Sequence, residues 1–244
     1  HPHTRLQAVP SPDTQMDSVF GFQGEGYVCL AGDARAINSI FVLKQHHDKI
    51  VQVSDRMLLA MVGEAGDTEQ LSEFVKVNLR LLELRLGHLS THMAANWLRT
   101  KMAESLRKSP YQVNCLLAGM DAETPALYHL DFYGTLAKLS FGAHGYCGHF
   151  LLSLFDKHWH EGMTKEEALP LVELLGGELK GRFLLHQDTF IVKIISTEGV
   201  ETHEVNIKGH QDVGRPPVAE EPVAEAEAET EMSAQRPALT IQAE

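Results

Sequence analysis

The sequence predicts an α+β fold in four layers, with two antiparallel sheets stacked face to face and a helix pair covering each outer side. Three observations lead there. Strand patterns come in runs joined by short turns, which favours antiparallel pairing. Helical patterns come in pairs between those runs. Several strands are apolar on both faces, so each sheet needs a cover on both sides.

The elements follow in order. Ser18 to Phe22 alternates apolar residues, and Tyr27 to Ala31 is an apolar run. The Gln23-Gly24-Glu25-Gly26 segment between them reads as a hairpin turn. Ile40 to Leu43, Ile50 to Val53 and Met57 to Val62 are three further short strands, the last apolar throughout. The period then changes from two to 3.6. Asp67 followed by Gln70 forms a capping-box pattern. Behind it Leu71, Phe74, Val75, Leu82 and Leu86 recur at helical spacing up to Gly87, a C-terminal cap. Ser90 caps a second helix with Ala94, Trp97, Leu98, Met102 and Leu106 on one face, and Pro110 lies beyond its end. Strands return at Gln112 to Ala118, Ala126 to Asp131 and Leu136 to Leu139. A helix from after Gly145 to Trp159 follows, and Thr164 with Glu167 opens another that runs to Phe183. Thr189 to Ile195 and Val200 to Val205 flank the Glu198-Gly199 turn as a closing hairpin.

Composition narrows the function. The chain has 244 residues, 21 Lys+Arg against 33 Asp+Glu, and a net charge of −12. A surface of that sign argues against nucleic acid as a partner. From Asp212 to Glu244 there are eight acidic residues and two basic ones, so this stretch carries −6 and the rest the other −6. Residues 212–244, with Pro216, Pro217, Pro222 and Pro237, read as a disordered acidic tail, and residues 1–15 as a flexible N-terminal extension. The domain proper is expected at 16–211. No apolar run reaches the roughly 18 residues of a membrane span, so no membrane partner is expected. Cys29, Cys115 and Cys147 have no paired spacing, which points to a reducing compartment, cytoplasm or nucleus.

Fourteen histidines raise the question of a metal. The densest group, His144, His149, His158 and His160, has no zinc-ligand spacing, so neither a metal site nor a cofactor is expected. Cys147 falls at a helix start and reads as a packing residue. The helix behind Asp67 carries Leu79, Leu81, Leu82, Leu84 and Leu86 on more than one side, which fits either a wide core face or a contact with another subunit.

Five segments, in order and at matching separations, carry a resemblance. They are MDSVFGFQGEGYVCLAGDARA from Met16, QHHDKI at 45–50, VGEAGDTEQ at 62–70, SPYQVNCLLAGMDAETPALYHLDFYGTLAK at 109–138 and AHGYCG at 143–148. Over residues 16–208 the chain resembles the beta subunits of the 20S proteasome, most closely the non-catalytic one at the fourth position of the beta ring. The resemblance implies the N-terminal nucleophile hydrolase fold, in agreement with the four layers read above. In active members a Thr freed by cleavage of a Gly–Thr bond attacks the peptide carbonyl, supported by an Asp, a Lys and an oxyanion-binding Gly N–H.

Residue by residue, the Asp corresponds to Asp33, the Lys to Lys49 and the Gly to Gly63. The Thr position falls on Met16 or Asp17, neither of which can serve in that mechanism. The Ser-Gly-Ser-like pattern of active members is replaced by Gly145-Tyr146-Cys147-Gly148. Phe183 and His186 stand where those members carry an acid and a hydroxyl. No catalytic residue is therefore expected, and Asp33, Lys49 and Gly63 are expected to serve structure. The resemblance implies a non-catalytic structural subunit, with third and fifth ring neighbours, a facing beta ring and alpha-ring subunits as partners. The alternative is an active hydrolase using another nucleophile, of which Ser18 is the nearest candidate.

Overall fold

The structure, a computed structural model, describes residues 17–38, 41–182 and 187–207. The expected extension at 1–15, Met16, Phe183, His186 and the tail at 212–244 lie outside the described residues.

Two five-stranded antiparallel sheets form the centre. The first holds β1 (Ser18–Gly24), β2 (Tyr27–Asp33), β10 (Phe141–Gly145), β11 (Thr189–Ser196) and β12 (Gly199–Asn206), in the order β10-β1-β2-β11-β12. The second holds β5 (Ile50–Ser54), β6 (Met57–Gly63), β7 (Val113–Asp121), β8 (Thr124–Leu130) and β9 (Leu136–Lys138), in chain order. A small hairpin, β3 (Ala36–Asn38) with β4 (Phe41–Lys44), stands apart from both.

The period of two then sorts side chains into three cores. Along β1 and β2, Phe20, Phe22, Tyr27, Cys29 and Ala31 point to one side, while Val19, Val28 and Leu30 point to the other. Along β6 and β7 the same split separates Leu59, Met61, Cys115 and Leu117 from Leu58, Ala60, Leu116 and Ala118. The second set of each pair meets across the sandwich. Helices α3 (Gly148–His158) and α4 (Lys165–Arg182) cover the first sheet through Leu151, Phe155, Leu175 and Leu179. Helices α1 (Ala65–Leu86) and α2 (Thr91–Ser105) cover the second through Leu71, Val75, Leu79 and Leu98. Three cores between four layers match the expected architecture. Each fully buried Leu or Phe contributes roughly 1.5–3 kcal/mol, so all three cores are stabilising. Among the described residues no helix is long and apolar enough to cross a membrane.

Three local expectations need correction. The α1 cap is Glu64, whose carboxylate accepts from the Asp67 N–H at 2.8 Å. Asp67 is inside the first turn, and its Oδ2 accepts from the Gln112 N–H instead, tying α1 to the start of β7. Of the expected α1 stripe, Leu71 and Val75 are buried, but Leu86 is exposed and Phe74 stacks on Trp97 at the helix surface. The inner face is completed by Leu79, one turn beyond Val75. The strands β3 and β10 were not expected. β3 is too short to show a period, and two of the five residues of the β10 sequence FGAHG are glycines, Gly142 and Gly145, which show no strand pattern.

Candidate functional site

The site lies at one end of the sandwich, where both sheets supply a charged residue. β2 ends at Asp33, in the first sheet. Lys49 stands just before β5, in the second. Asp48 sets that junction: its Oδ1 accepts from the Ile50 N–H at 2.9 Å, and its Oδ2 accepts from Lys193 Nζ of β11 at 2.6 Å. This turn aims Lys49 inward.

Lys49 Nζ donates to Asp33 Oδ1 at 2.6 Å, to Asp17 Oδ1 at 2.7 Å and to the Arg35 carbonyl at 2.8 Å. An ammonium has three N–H donors, so all three are taken. The Lys49 and Asp33 side chains are only 4% and 1% exposed. Asp33 Oδ1 also accepts from the Ser18 N–H at 2.7 Å, while its buried Oδ2 has no hydrogen-bond partner among the described residues. Burial pushes the Asp33 carboxyl up from its ordinary range, against the pull of Lys49. His47 is held down by burial and by the nearby Lys49 and Lys44, so it is neutral at pH 7.

The remaining expected positions are brought to the same place. Gly63 ends β6 with φ +150°, and a Cβ there would lie 2.0 Å from the Gln112 carbonyl oxygen, so only glycine fits. Asp17, Lys49 and Gly63 all line one cavity of about 200 Å³. Gly145 ends β10 at φ +82°, where a Cβ would strike the Asp17 carbonyl at 2.0 Å; its lack of a side chain lets the Asp17 backbone approach. Of the two candidates for the nucleophile position, Asp17 lies beside Lys49, and Met16 is outside the described residues.

The alternative nucleophile has no access. Ser18 is fully buried, and its Oγ accepts from Gln187 Nε2 at 3.0 Å. Cys147 is buried behind it, donating to the His144 carbonyl at 3.2 Å, and burial pushes its thiol up to about 12. It packs and does not ionise near neutral pH. Among the described residues no three His, Cys, Asp or Glu converge as a metal site. His144 instead lies inside, stacked on His129 with ring centroids 3.9 Å apart. Asp17 as a partner of Lys49, Gln187 on Ser18 and the glycine at 145 as a close-approach point were not singled out. They come from distant stretches of chain, and no local spacing marks them.

A four-layer αββα sandwich with an Asp–Lys pair at the mouth of β1 and β2 defines the N-terminal nucleophile hydrolase fold. Comparison with known proteins narrows the class. A family model described as "Proteasome subunit" matches residues 15–195. Proteasome subunit beta type-2-B of Arabidopsis thaliana is 40% identical over 190 residues, covering 77% of this chain and 96% of the relative. Proteasome subunit beta type-2 of Dictyostelium discoideum is 37% identical over 196 residues, with 78% and 98% covered. Proteasome subunit beta type-4 of Saccharomyces cerevisiae is 38% identical over 189 residues, with 76% and 96% covered. The chain belongs to the proteasome subunit family, and these relatives are its beta types.

Proposed function

We propose that this chain is a non-catalytic structural beta subunit of the 20S proteasome core. It completes the beta ring and walls part of the chamber in which neighbouring subunits cut peptide bonds. The observation that carries this reading is the occupancy of Lys49. Its three N–H donors are spent on Asp17, Asp33 and the Arg35 carbonyl, and neither Met16 nor Asp17, the two candidates for the nucleophile position, carries a hydroxyl or thiol. An N-terminal nucleophile needs a hydroxyl or thiol next to a free α-amine that takes its proton. The Met16 thioether and the Asp17 carboxylate offer no such group. Asp33 and Lys49 then act as an ionic tie between the two sheets, and Gly63 as a strand-to-helix turn.

In this reading the chain takes the fourth beta position, which its likeness to beta type-2 and type-4 subunits supports. The fourth beta position has the third and fifth beta subunits beside it, a facing beta ring and alpha subunits on the outer side. The compartments of this reading are cytoplasm and nucleus. The outward α1 residues Val77, Leu81 and Leu84 are exposed in the single chain and are covered by a neighbour in this reading.

The test is activity-based labelling of intact particles with an epoxyketone or fluorophosphonate probe, followed by subunit-resolved mass measurement. The expected result is a chain present in the particle and unlabelled. A covalent adduct on this chain would overturn the reading, as would a chain that migrates alone near its 27.1 kDa mass.

A further inference from the structure

The cluster at the mouth of β1 and β2 has one cation for two acids. Lys49 Nζ meets Asp17 Oδ1 at 2.7 Å and Asp33 Oδ1 at 2.6 Å. Two carboxylates against one ammonium leave one negative charge over, and the Asp33 side chain is only 1% exposed. A buried charge without its own counter-charge is costly, and a proton removes it.

The other charges facing Asp33 are engaged elsewhere. Before β5, Asp48 is held by Lys193 of β11. His47 is neutral, with Lys44 beyond it. Arg35, two residues past Asp33, and Lys180 of α4 converge on Asp188. At the start of α3, Cys147 is a neutral thiol. On β11 the residue paired with Asp33 is Phe190, which is apolar.

The hydrogen bonds single out one oxygen. Asp33 Oδ1 already faces two donors, Lys49 Nζ and the Ser18 N–H. Oδ2 is buried and has no hydrogen-bond partner among the described residues. A proton on Oδ2 cancels the excess charge and leaves both Oδ1 bonds in place. Asp17 needs a proton less, because its side chain is 16% exposed and reaches water. Burial pushes Asp33 toward the protonated form most strongly, and the Asp17 carboxylate adds to that push against the pull of Lys49.

We infer that this cluster is a proton-binding site: one proton enters on Asp33 Oδ2 at a pH where an unfolded aspartate is already ionised, and the ammonium of Lys49 is then balanced by Asp17 alone. An unfolded aspartate takes its proton at about 3.9, and the folded Asp33 does so at higher pH. Between those values the folded chain holds the extra proton. The stability it contributes is complete below about 3.9 and is lost as the pH rises through the folded value.

The test is infrared difference spectroscopy of the full chain carrying isotope-labelled aspartate, titrated upward from acid. One carboxylic-acid band is expected to persist after the other aspartates have ionised, and to be missing in Asp33→Asn. Asp17→Asn leaves one carboxylate for one ammonium and is expected to move the loss of that band to lower pH. Urea unfolding gives a second readout. The folded-to-unfolded ratio of the wild-type chain over that of Asp33→Asn is expected to fall as the pH rises across this window, by up to about tenfold per pH unit. His144 is common to both chains, so its own response to acid does not create that trend. Absence of a persisting band, a band that survives Asp33→Asn, or a band unmoved by Asp17→Asn would overturn the inference. So would a wild-type advantage that grows with rising pH, which is the signature of an ionised Asp33 in an ordinary ion pair. None of these readouts depends on a place in the ring, so the inference and the proposed function fail separately.

Discussion

Two of the buried polar clusters among the described residues solve the same problem in opposite ways. At the mouth of β1 and β2, the Lys49 ammonium meets the carboxyl groups of Asp17 and Asp33 at 2.6–2.7 Å. At the far edge of the sheet, His129 of β8 and His144 of β10 stack across the two layers and give their charges up. Burial, then the neighbouring His129, lowers His144 to about 3, and its Nε2 meets the Cys115 carbonyl at 3.0 Å. His129 is also held down by burial. The first cluster tolerates burial because opposite charges meet. The second tolerates it only while it stays neutral. A buried ion pair fails when one partner is removed, and a buried neutral histidine fails when a proton is added.

The largest effect should come from breaking the first cluster on one side. Lys49→Ala leaves Asp17 and Asp33 facing each other with Asp33 enclosed, and should cost roughly 3–5 kcal/mol in urea unfolding of the full chain. Lys49→Met combined with Asp33→Asn should recover much of that loss. If the double variant is no more stable than Lys49→Ala, the ionic account of this end of the sandwich fails.

Acid should break the second cluster. An unfolded His144 takes its proton near 6.5 and the folded one near 3, so unfolding binds a proton between these values. This stability is complete above about pH 6.5 and falls as the pH drops toward 3, by about 3 kcal/mol at pH 4. Urea midpoints across that range, compared between the wild-type chain and His144→Gln, check the sign. A wild-type profile no steeper than that of His144→Gln would remove His144 as the cause.

Smaller changes sharpen the contrast. Asp17→Asn removes one of Lys49's two anionic partners but leaves Asp33 and the Arg35 carbonyl, so the loss should be about 1 kcal/mol. A larger loss would mean that Asp17 is the main partner. His129→Phe keeps a ring against His144 and removes a neighbouring positive charge at low pH. The acid midpoint should move down by roughly a few tenths of a pH unit; a rise would show that the His129 nitrogens, and not its stacking, hold the edge.

The alternation in Ser18–Phe22, the apolar run at Met57–Val62, the cap at Ser90 and the left-handed Gly87 were legible because each depends on residues close in sequence. β10 was not, because Gly142 and Gly145 carry no period, and it exists by pairing with β1 through Val19 and His144. The Glu64 cap was missed because Asp67 fits the sequence pattern better, and only β7 shows that Asp67 is already engaged by Gln112. At the site, the matching residues Asp33, Lys49 and Gly63 were readable one by one. Their convergence on one cavity was not.

By itself, then, the sequence determined that two apolar sheets need two helix covers, and that no Thr stands at Met16–Asp17. Both are properties of residue type and local spacing. Only the tertiary structure decided that Asp17 shares Lys49 with Asp33, and that Ser18 is buried against Gln187. The physical reason is range. Periodicity acts over a few residues, whereas an ammonium chooses its carboxylates by distance in space, and here those partners come from positions 17 and 33, beside the sheet opposite that of Lys49.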